Sequence, residues 1–316
     1  MRAAYATKAD PDHPLHALTV GQLPEPTPPD DWVVVDVRAA SLNQHDLWSL
    51  RGVGLRADRL PMILGCDAAG VDADGNEVVL YPVVADPGDP RGLSLLSEHF
   101  PGTLAERVAV PRDNLVPKPA GVSFVEAACL PTAWLTAFHM LTTRGRVDEA
   151  DAVLVQGAGG GVATAAVALA VAMGKRVYAT SRDPAKRGRI AGFGATAVEP
   201  GARLPERVDV VIESVGAPTF EHSMKCCAPG ARIVVCGATG GYLATVDLRR
   251  LFAMQLDILG STMGTRDDLV ALLDLLVDKD IRPTVDSTYG FTAVAEAFAH
   301  LESGEIFGKV AIDFLH

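Results

Sequence analysis

Two short segments gather side chains that can bind metals or move protons: SLNQHDLWSLRG, Ser41 to Gly52, and ILGCDAAG, Ile63 to Gly70. Together they place His45, Asp46, Cys66 and Asp67 in an otherwise apolar region. Imidazole, thiolate and carboxylate are the ligand types of zinc, which needs three of them converging at about 2.0–2.3 Å. Consecutive residues rarely face one point, so the adjacent pairs His45/Asp46 and Cys66/Asp67 argue against a metal held by all four. Asp46, three residues after Asn43, is the type and spacing that orders a loop through its own backbone. His45 has no evident ligand partner or acidic orienter in the sequence, so it is expected to be structural or solvent-facing.

A second motif concerns phosphate. In VLVQGAGGGVATAAVALA, glycines 157, 159, 160 and 161 follow an apolar β-type run and precede a helical one. In that context the backbone N–H groups of Gly159, Gly160, Gly161 and Val162 and the helix dipole can meet a pyrophosphate. The strict G-x-G-x-x-G pattern is broken, because the sixth position from Gly157 is Val162. In such folds a carboxylate about 20 residues further on holds the ribose 2′-hydroxyl of NAD. Here the corresponding strand ends in Thr180-Ser181-Arg182, with Lys186 in the next helix. Hydroxyl, guanidinium and ammonium donors suit a 2′-phosphate, so the segment reads as NADPH over NADH. Asp183, before Pro184, suits a helix cap.

These groups need elements to position them. A chain of 316 residues, 48% of them apolar, exceeds what one core usually supports, so two domains are expected. The first part alternates β-branched runs such as DDWVVVDVRAA and TLAERVAVP with Pro/Gly/Asp turns. From Val125 the pattern changes: a helix starts or breaks near Pro131, and strands then alternate with helices, which implies a parallel sheet. The strand candidates are residues 152–157, 176–181, 195–200, 208–214, 231–237 and 256–262. A net charge of −11 disfavours nucleic acid and anionic membranes, and the longest apolar stretch, Val162 to Met173, is too short to span a bilayer. Five scattered cysteines without a C-x-x-C pair read as buried reduced thiols, and the chain as cytoplasmic.

The ordered set SLNQHD, PMILGCDAAG, GTLAERVAVP, AACLPTAWLTAFHML, VLVQGAGGGVA, GARIVVCGATGG, ILGSTMGT and ESGEIFGKVAI resembles the medium-chain dehydrogenase/reductase superfamily, and most of all its zinc-independent, zeta-crystallin-like quinone oxidoreductase branch. The resemblance implies an α/β protein: a GroES-like β-rich catalytic domain (residues 1–127 and 264–316) and a doubly wound Rossmann domain with a parallel sheet (128–263). In zinc-dependent relatives the metal ligands match Asn43, Cys66 and roughly Thr132, and two of these three are poor zinc ligands here, so no metal is expected.

The same resemblance implies catalytic roles for Asn43 and Asp46, with Asn43 also beside the cofactor. It places Thr136, Ser214, Val215, Gly237, Ala238, Thr239, Phe307, Gly308 and Lys309 in cofactor contact, beside the glycine turn and Ser181, Arg182 and Lys186. The family's Tyr near the 2′-phosphate has no counterpart in ATAVEPGARLPERVDVV. The implied activity is NADPH-dependent hydride transfer to a quinone or other conjugated carbonyl, by a homodimer paired through LDILGST. A zinc alcohol dehydrogenase with atypical ligands and a non-catalytic NADPH-binding sensor are the alternatives.

Overall fold

The computed structural model describes residues 1–315, and they form two compact units, Met1–Thr132 with the described chain from Val285 onward, and Ala133–Thr284. The expected boundaries are residues 127/128 and 263/264, and the first unit breaks after Thr132. It resumes at Val285: the helix Arg266–Asp278, expected in the first domain, belongs to the second unit. Its apolar stripe Leu269, Leu272, Leu273 and Leu276 is buried, and Thr265 caps it by accepting the Asp268 N–H at 3.1 Å.

The first unit is built around a seven-stranded sheet. Its longest member, Trp32–Ser41, alternates buried and partly exposed residues over most of its length, the period of a strand with one face on a core. Asp67–Asp72 and Lys309–Asp313 flank it in antiparallel register, with Ser41 opposite both Asp67 and Ala311. That register brings Ser41, Asp67 and Lys309 to one end of the sheet from three distant parts of the chain.

The second unit holds a six-stranded parallel sheet. Its strands run in the order Thr196–Val198, Arg176–Thr180, Ala152–Val155, Val208–Glu213, Cys227–Val235, Asp257–Gly260. All six expected strands are present, and the order reverses beside Ala152–Val155, the switch point at which doubly wound sheets bind dinucleotides. One strand starts earlier than expected, at Cys227 rather than Ala231. The helix Gly161–Ala172 is buried without interruption from Ala163 to Ala170, as its uniformly apolar sequence demands. Where a break was expected near Pro131, the backbone makes a widened π turn over Leu130–Trp134, and a second over Met140–Arg144.

Candidate active site

In the first unit, Asn43 precedes the helix Gln44–Leu50 and follows the central strand after one residue, Leu42. Its side chain is fixed by two neighbours: Nδ2 donates to Asp67 Oδ2 at 2.8 Å, and Oδ1 accepts from Lys309 Nζ at 2.6 Å. Only one orientation of the amide satisfies both, and it leaves one Nδ2 hydrogen uncommitted to either partner. Lys309 also donates to Leu42 O at 2.8 Å and Asp67 Oδ2 at 3.0 Å. The expected role of Lys309 as a cofactor donor is therefore corrected, since its three ammonium hydrogens are used inside this unit, where it is 3% exposed. Asp67 is fully buried, and its Oδ2 also accepts from Ser41 Oγ at 2.8 Å. Phe307, expected at the cofactor, has its side chain in the core, while Gly308 turns the chain at φ +105°.

Asp46 is corrected in the same way. It is fully buried and accepts the backbone N–H of Asn43 at 2.8 Å and of Gly65 at 3.1 Å, so it ties two loops together and faces no open space.

His45 departs most from its expected isolation. Its Nδ1 lies 3.3 Å from Cys66 Sγ, and its Nε2 lies 3.3 Å from Glu98 Oε1, an acidic partner with no sequence signal. Burial works against the imidazolium, yet Cys66, Glu98 and Asp46 together hold the His45 pKa well above 6.5. Burial likewise works against the Glu98 carboxylate, and His45 leads the contacts that hold it below 4.5. The raised histidine contributes stability that is complete below pH 6.5 and lost as pH rises towards its folded value. The lowered glutamate contributes stability present above pH 4.5 and lost on acidification. His45→Gln should therefore flatten the decline of the melting temperature as pH rises above about 6.5, as thermal melts over a pH series will show. Equal slopes would contradict this pairing.

The residues matching the family's zinc ligands do not fit a metal. Asn43 Oδ1 already faces the Lys309 ammonium, and Thr132 offers a hydroxyl. A neighbouring trio is closer to a ligand set: His45, Asp46 and Cys66 each present one ligand atom within 4.8 Å of the others. All three are committed, however. Asp46 holds two amides, His45 holds Glu98, and Cys66 donates its thiol hydrogen to Leu96 O at 3.2 Å. Burial also pushes the Cys66 pKa up, disfavouring the thiolate that zinc requires.

The second unit presents the dinucleotide cradle. Gly157 sits at φ +67°, and a Cβ there would lie 2.3 Å from Val215 Cγ2, so only glycine fits the turn. The turn is pinned by Gly157 N–H to Thr180 Oγ1 at 3.0 Å and Ala158 N–H to Thr180 O at 2.7 Å. Gly160 caps the helix that begins at Gly161, with Val162 in its first turn. A Cβ on Gly159 would stand 3.6 Å from Lys186 Nζ, which puts that ammonium over the turn. Ser181 is 6% exposed at the strand end and Arg182 is exposed beside it. Asp183 caps the next helix by accepting the Ala185 N–H at 2.8 Å, as expected. Arg187 instead braces this corner through Ser181 O at 2.8 Å and Glu199.

Sequence reasoning missed what holds these strand ends. Glu213 is fully buried and accepts from Val215 N–H, Gly216 N–H, Thr219 Oγ and Ser223 Oγ. Gln156 links Thr180 Oγ1 to Ser223 Oγ, so one buried network joins three strands and sets the Ser214–Val215 turn. Thr239 Oγ1 and N–H both donate to Ser214 O, which brings Gly237, Ala238 and Thr239 against that turn. Thr136 is 7% exposed in the helix Leu135–His139 of the same unit. Beyond Ser214, a cleft of about 600 Å³ opens at the ends of the last two strands, with Gly237, Ser261, His139 and Arg144 in its lining.

Two family descriptions match the chain, the second running across the boundary at Thr284. The description "Alcohol dehydrogenase GroES-like domain" fits residues 29–120 and "Zinc-binding dehydrogenase" fits residues 194–312. An acryloyl-coenzyme A reductase of Metallosphaera sedula is 30% identical over 324 residues, 93% of this chain and 95% of the reductase. The chain belongs to the medium-chain dehydrogenase/reductase superfamily. A crystal structure of an NAD-dependent alcohol dehydrogenase superposes with a TM-score of 0.90 at 34% identity, covering 99% of each chain. A phenolphthiocerol/phthiocerol polyketide synthase of Mycobacterium tuberculosis is 29% identical over 332 residues, and this dehydrogenase/reductase chain spans 15% of its length. Among the described residues, no helix is long and apolar enough to cross a membrane.

Proposed function

We propose that the protein is a cytoplasmic NADPH-dependent reductase that delivers hydride to a conjugated carbonyl, a quinone or an α,β-unsaturated ketone or thioester, without a catalytic metal. The observation that carries this reading is the Asn43–Asp67–Lys309 cluster: at Asn43, a position that matches a zinc ligand in relatives that use the metal, the side-chain oxygen is bound to an ammonium. Hydride addition to a conjugated acceptor spreads the resulting negative charge over several atoms, and hydrogen-bond donors suffice to steady it. Asn43 supplies such a donor: the Lys309 ammonium at 2.6 Å from its carbonyl polarises the amide and strengthens the remaining N–H. A bound nicotinamide dinucleotide supplies the hydride. The glycine turn receives its pyrophosphate, and Ser181, Arg182 and Lys186 receive the 2′-phosphate, the neighbouring Asp183 carboxylate being engaged in capping the next helix. The similarity to an acryloyl-coenzyme A reductase supports a conjugated acceptor.

The quinone oxidoreductase branch and the homodimer are parts of the same proposal. Asp257–Gly260 is an edge strand with Ile258 37% exposed, and Phe252, in the helix Leu248–Ala253, is 73% exposed. Pairing of two such edges would cover both.

The test is a parallel screen of quinones, enones, enoyl thioesters and alcohols with NADPH and NADH. Turnover concentrated on conjugated acceptors with NADPH is expected, and turnover confined to alcohols would refute the proposal. A zinc-dependent alcohol dehydrogenase is the second reading, favoured by the proximity of His45, Asp46 and Cys66 and by the similarity to an NAD-dependent alcohol dehydrogenase. Stoichiometric zinc in the purified protein, lost together with activity on chelation, would establish it.

A further inference from the structure

The cleft at the ends of the strands Cys227–Val235 and Asp257–Gly260 has an unusual charge balance. The whole chain carries −11, yet no carboxylate lines this cleft. Its polar lining includes the Arg144 guanidinium, the His139 ring and the Gly237 backbone, while the Ser261 and Thr262 hydroxyls donate to Thr262 O at 3.2 Å and Met263 O at 3.5 Å. The acid that approaches His139, Asp268, is already committed, to the ring at 2.9 Å and to the Thr265 N–H at 2.8 Å.

Arg144 itself is unpaired. It makes no ion pair with any described residue, and its Nε is buried without a hydrogen-bond partner. Its neighbours in sequence and space have partners for their terminal nitrogens, although the Arg232 Nε is likewise buried without one. Arg146 pairs with Glu149, and Arg232 reaches Glu149 at 2.7 Å and Gly145 O at 3.1 Å. A guanidinium left with a buried, unsatisfied N–H is costly unless something completes it, and its planar fork matches the two oxygens of a carboxylate or phosphate. The cleft also lies at the carboxyl ends of the parallel strands, where ligands of such sheets bind, and on the far side of Ser214 from the glycine turn.

We propose that this cleft is an oxyanion site and that Arg144 binds a carboxylate or phosphate group carried by the hydride acceptor. The proposal rests on the reductase reading for its ligand, and it narrows the substrate class to conjugated carbonyls with an anionic handle. Arg144 then sets specificity and takes no part in bond making.

Two measurements test it. In the first, protein saturated with adenosine 2′,5′-bisphosphate, which fills the adenosine half of the cradle, is titrated calorimetrically with inorganic pyrophosphate. Arg144→Gln should weaken pyrophosphate binding by about 10- to 100-fold, the range for losing a charge-assisted hydrogen bond, while Arg146→Gln should not. Equal affinity in the wild type and Arg144→Gln overturns the site. So does a wild-type dimer that dissociates in Arg144→Gln with pyrophosphate binding unchanged, since the guanidinium would then pair with a second copy.

The second measurement compares kcat/KM for crotonyl-coenzyme A, for 4-oxopent-2-enoate and for neutral pent-3-en-2-one. In Arg144→Gln the ratio of an anionic to the neutral acceptor should fall about 10- to 100-fold, chiefly through KM. A fall with the coenzyme A thioester alone assigns the site to phosphate, and a fall with the oxo-acid alone assigns it to carboxylate. An unchanged ratio for both anionic acceptors overturns the proposal. If no acceptor is turned over but pyrophosphate binding depends on Arg144, the oxyanion site stands and the reductase reading falls.

Discussion

Lys309→Met is expected to destabilise the first unit by about 3–5 kcal/mol, the usual cost of removing one partner from a buried ion pair. Asp67 is fully exposed to this loss: it is 0% solvent-accessible, its Oδ1 already lacks a partner, and its Oδ2 relies on Ser41, Asn43 and the ammonium. At about 2–4 °C per kcal/mol for a unit of this size, the melting transition should drop by about 10 °C. The double variant Lys309→Met/Asp67→Leu should recover much of that, because an apolar pair replaces two buried charges with little penalty. Recovery in the double variant separates this electrostatic account from simple loss of packing. A single variant that melts with the wild type would show that Asp67 does not depend on Lys309.

Ser181→Asp should change cofactor choice more than any other single substitution. Ser181 is nearly buried at the end of the second strand of the parallel sheet, where a carboxylate holds the ribose of NAD in related folds. A carboxylate there would repel a 2′-phosphate and offer the 2′-hydroxyl an acceptor. The ratio of kcat/KM for NADPH over NADH is expected to fall by roughly 100-fold, equivalent to the about 2.7 kcal/mol that separates charge attraction from repulsion at a partly buried site. Initial-rate kinetics with both cofactors measure it directly. An unchanged ratio would remove Ser181 from the 2′-phosphate site and leave Arg182 and Lys186 to account for any preference.

What could be read from the sequence follows the distance over which each feature acts. The glycine turn, its flanking strands and the Asp183 cap are local patterns, and each lies where expected. The charge pairs are not local. Lys309 meets Asn43 across 266 positions and His45 meets Glu98 across 53, and neither contact leaves a periodic or spaced signature. The family resemblance implied Lys309 as a cofactor donor, whereas its side chain is buried and bonded to Leu42, Asn43 and Asp67. Asp46 illustrates the reverse case: its spacing from Asn43 correctly signalled loop ordering, and that role consumes the oxygens that catalysis would need. Glu213 is an acidic residue at the end of an apolar strand, with no spaced partner in the sequence. Only the return of the helix Ala217–Cys226 over it supplies the hydroxyls that make its burial tolerable.

Hydride delivery without a metal is tested most directly by following deuterium from 4-deuterated NADPH, of the transferred configuration, into the product formed by chelator-treated enzyme with an enone. One deuterium on the β-carbon of a saturated carbonyl product, at a rate unchanged by chelation, is the expected result. Deuterium on a carbinol carbon, with activity lost on chelation and restored by zinc, would contradict it.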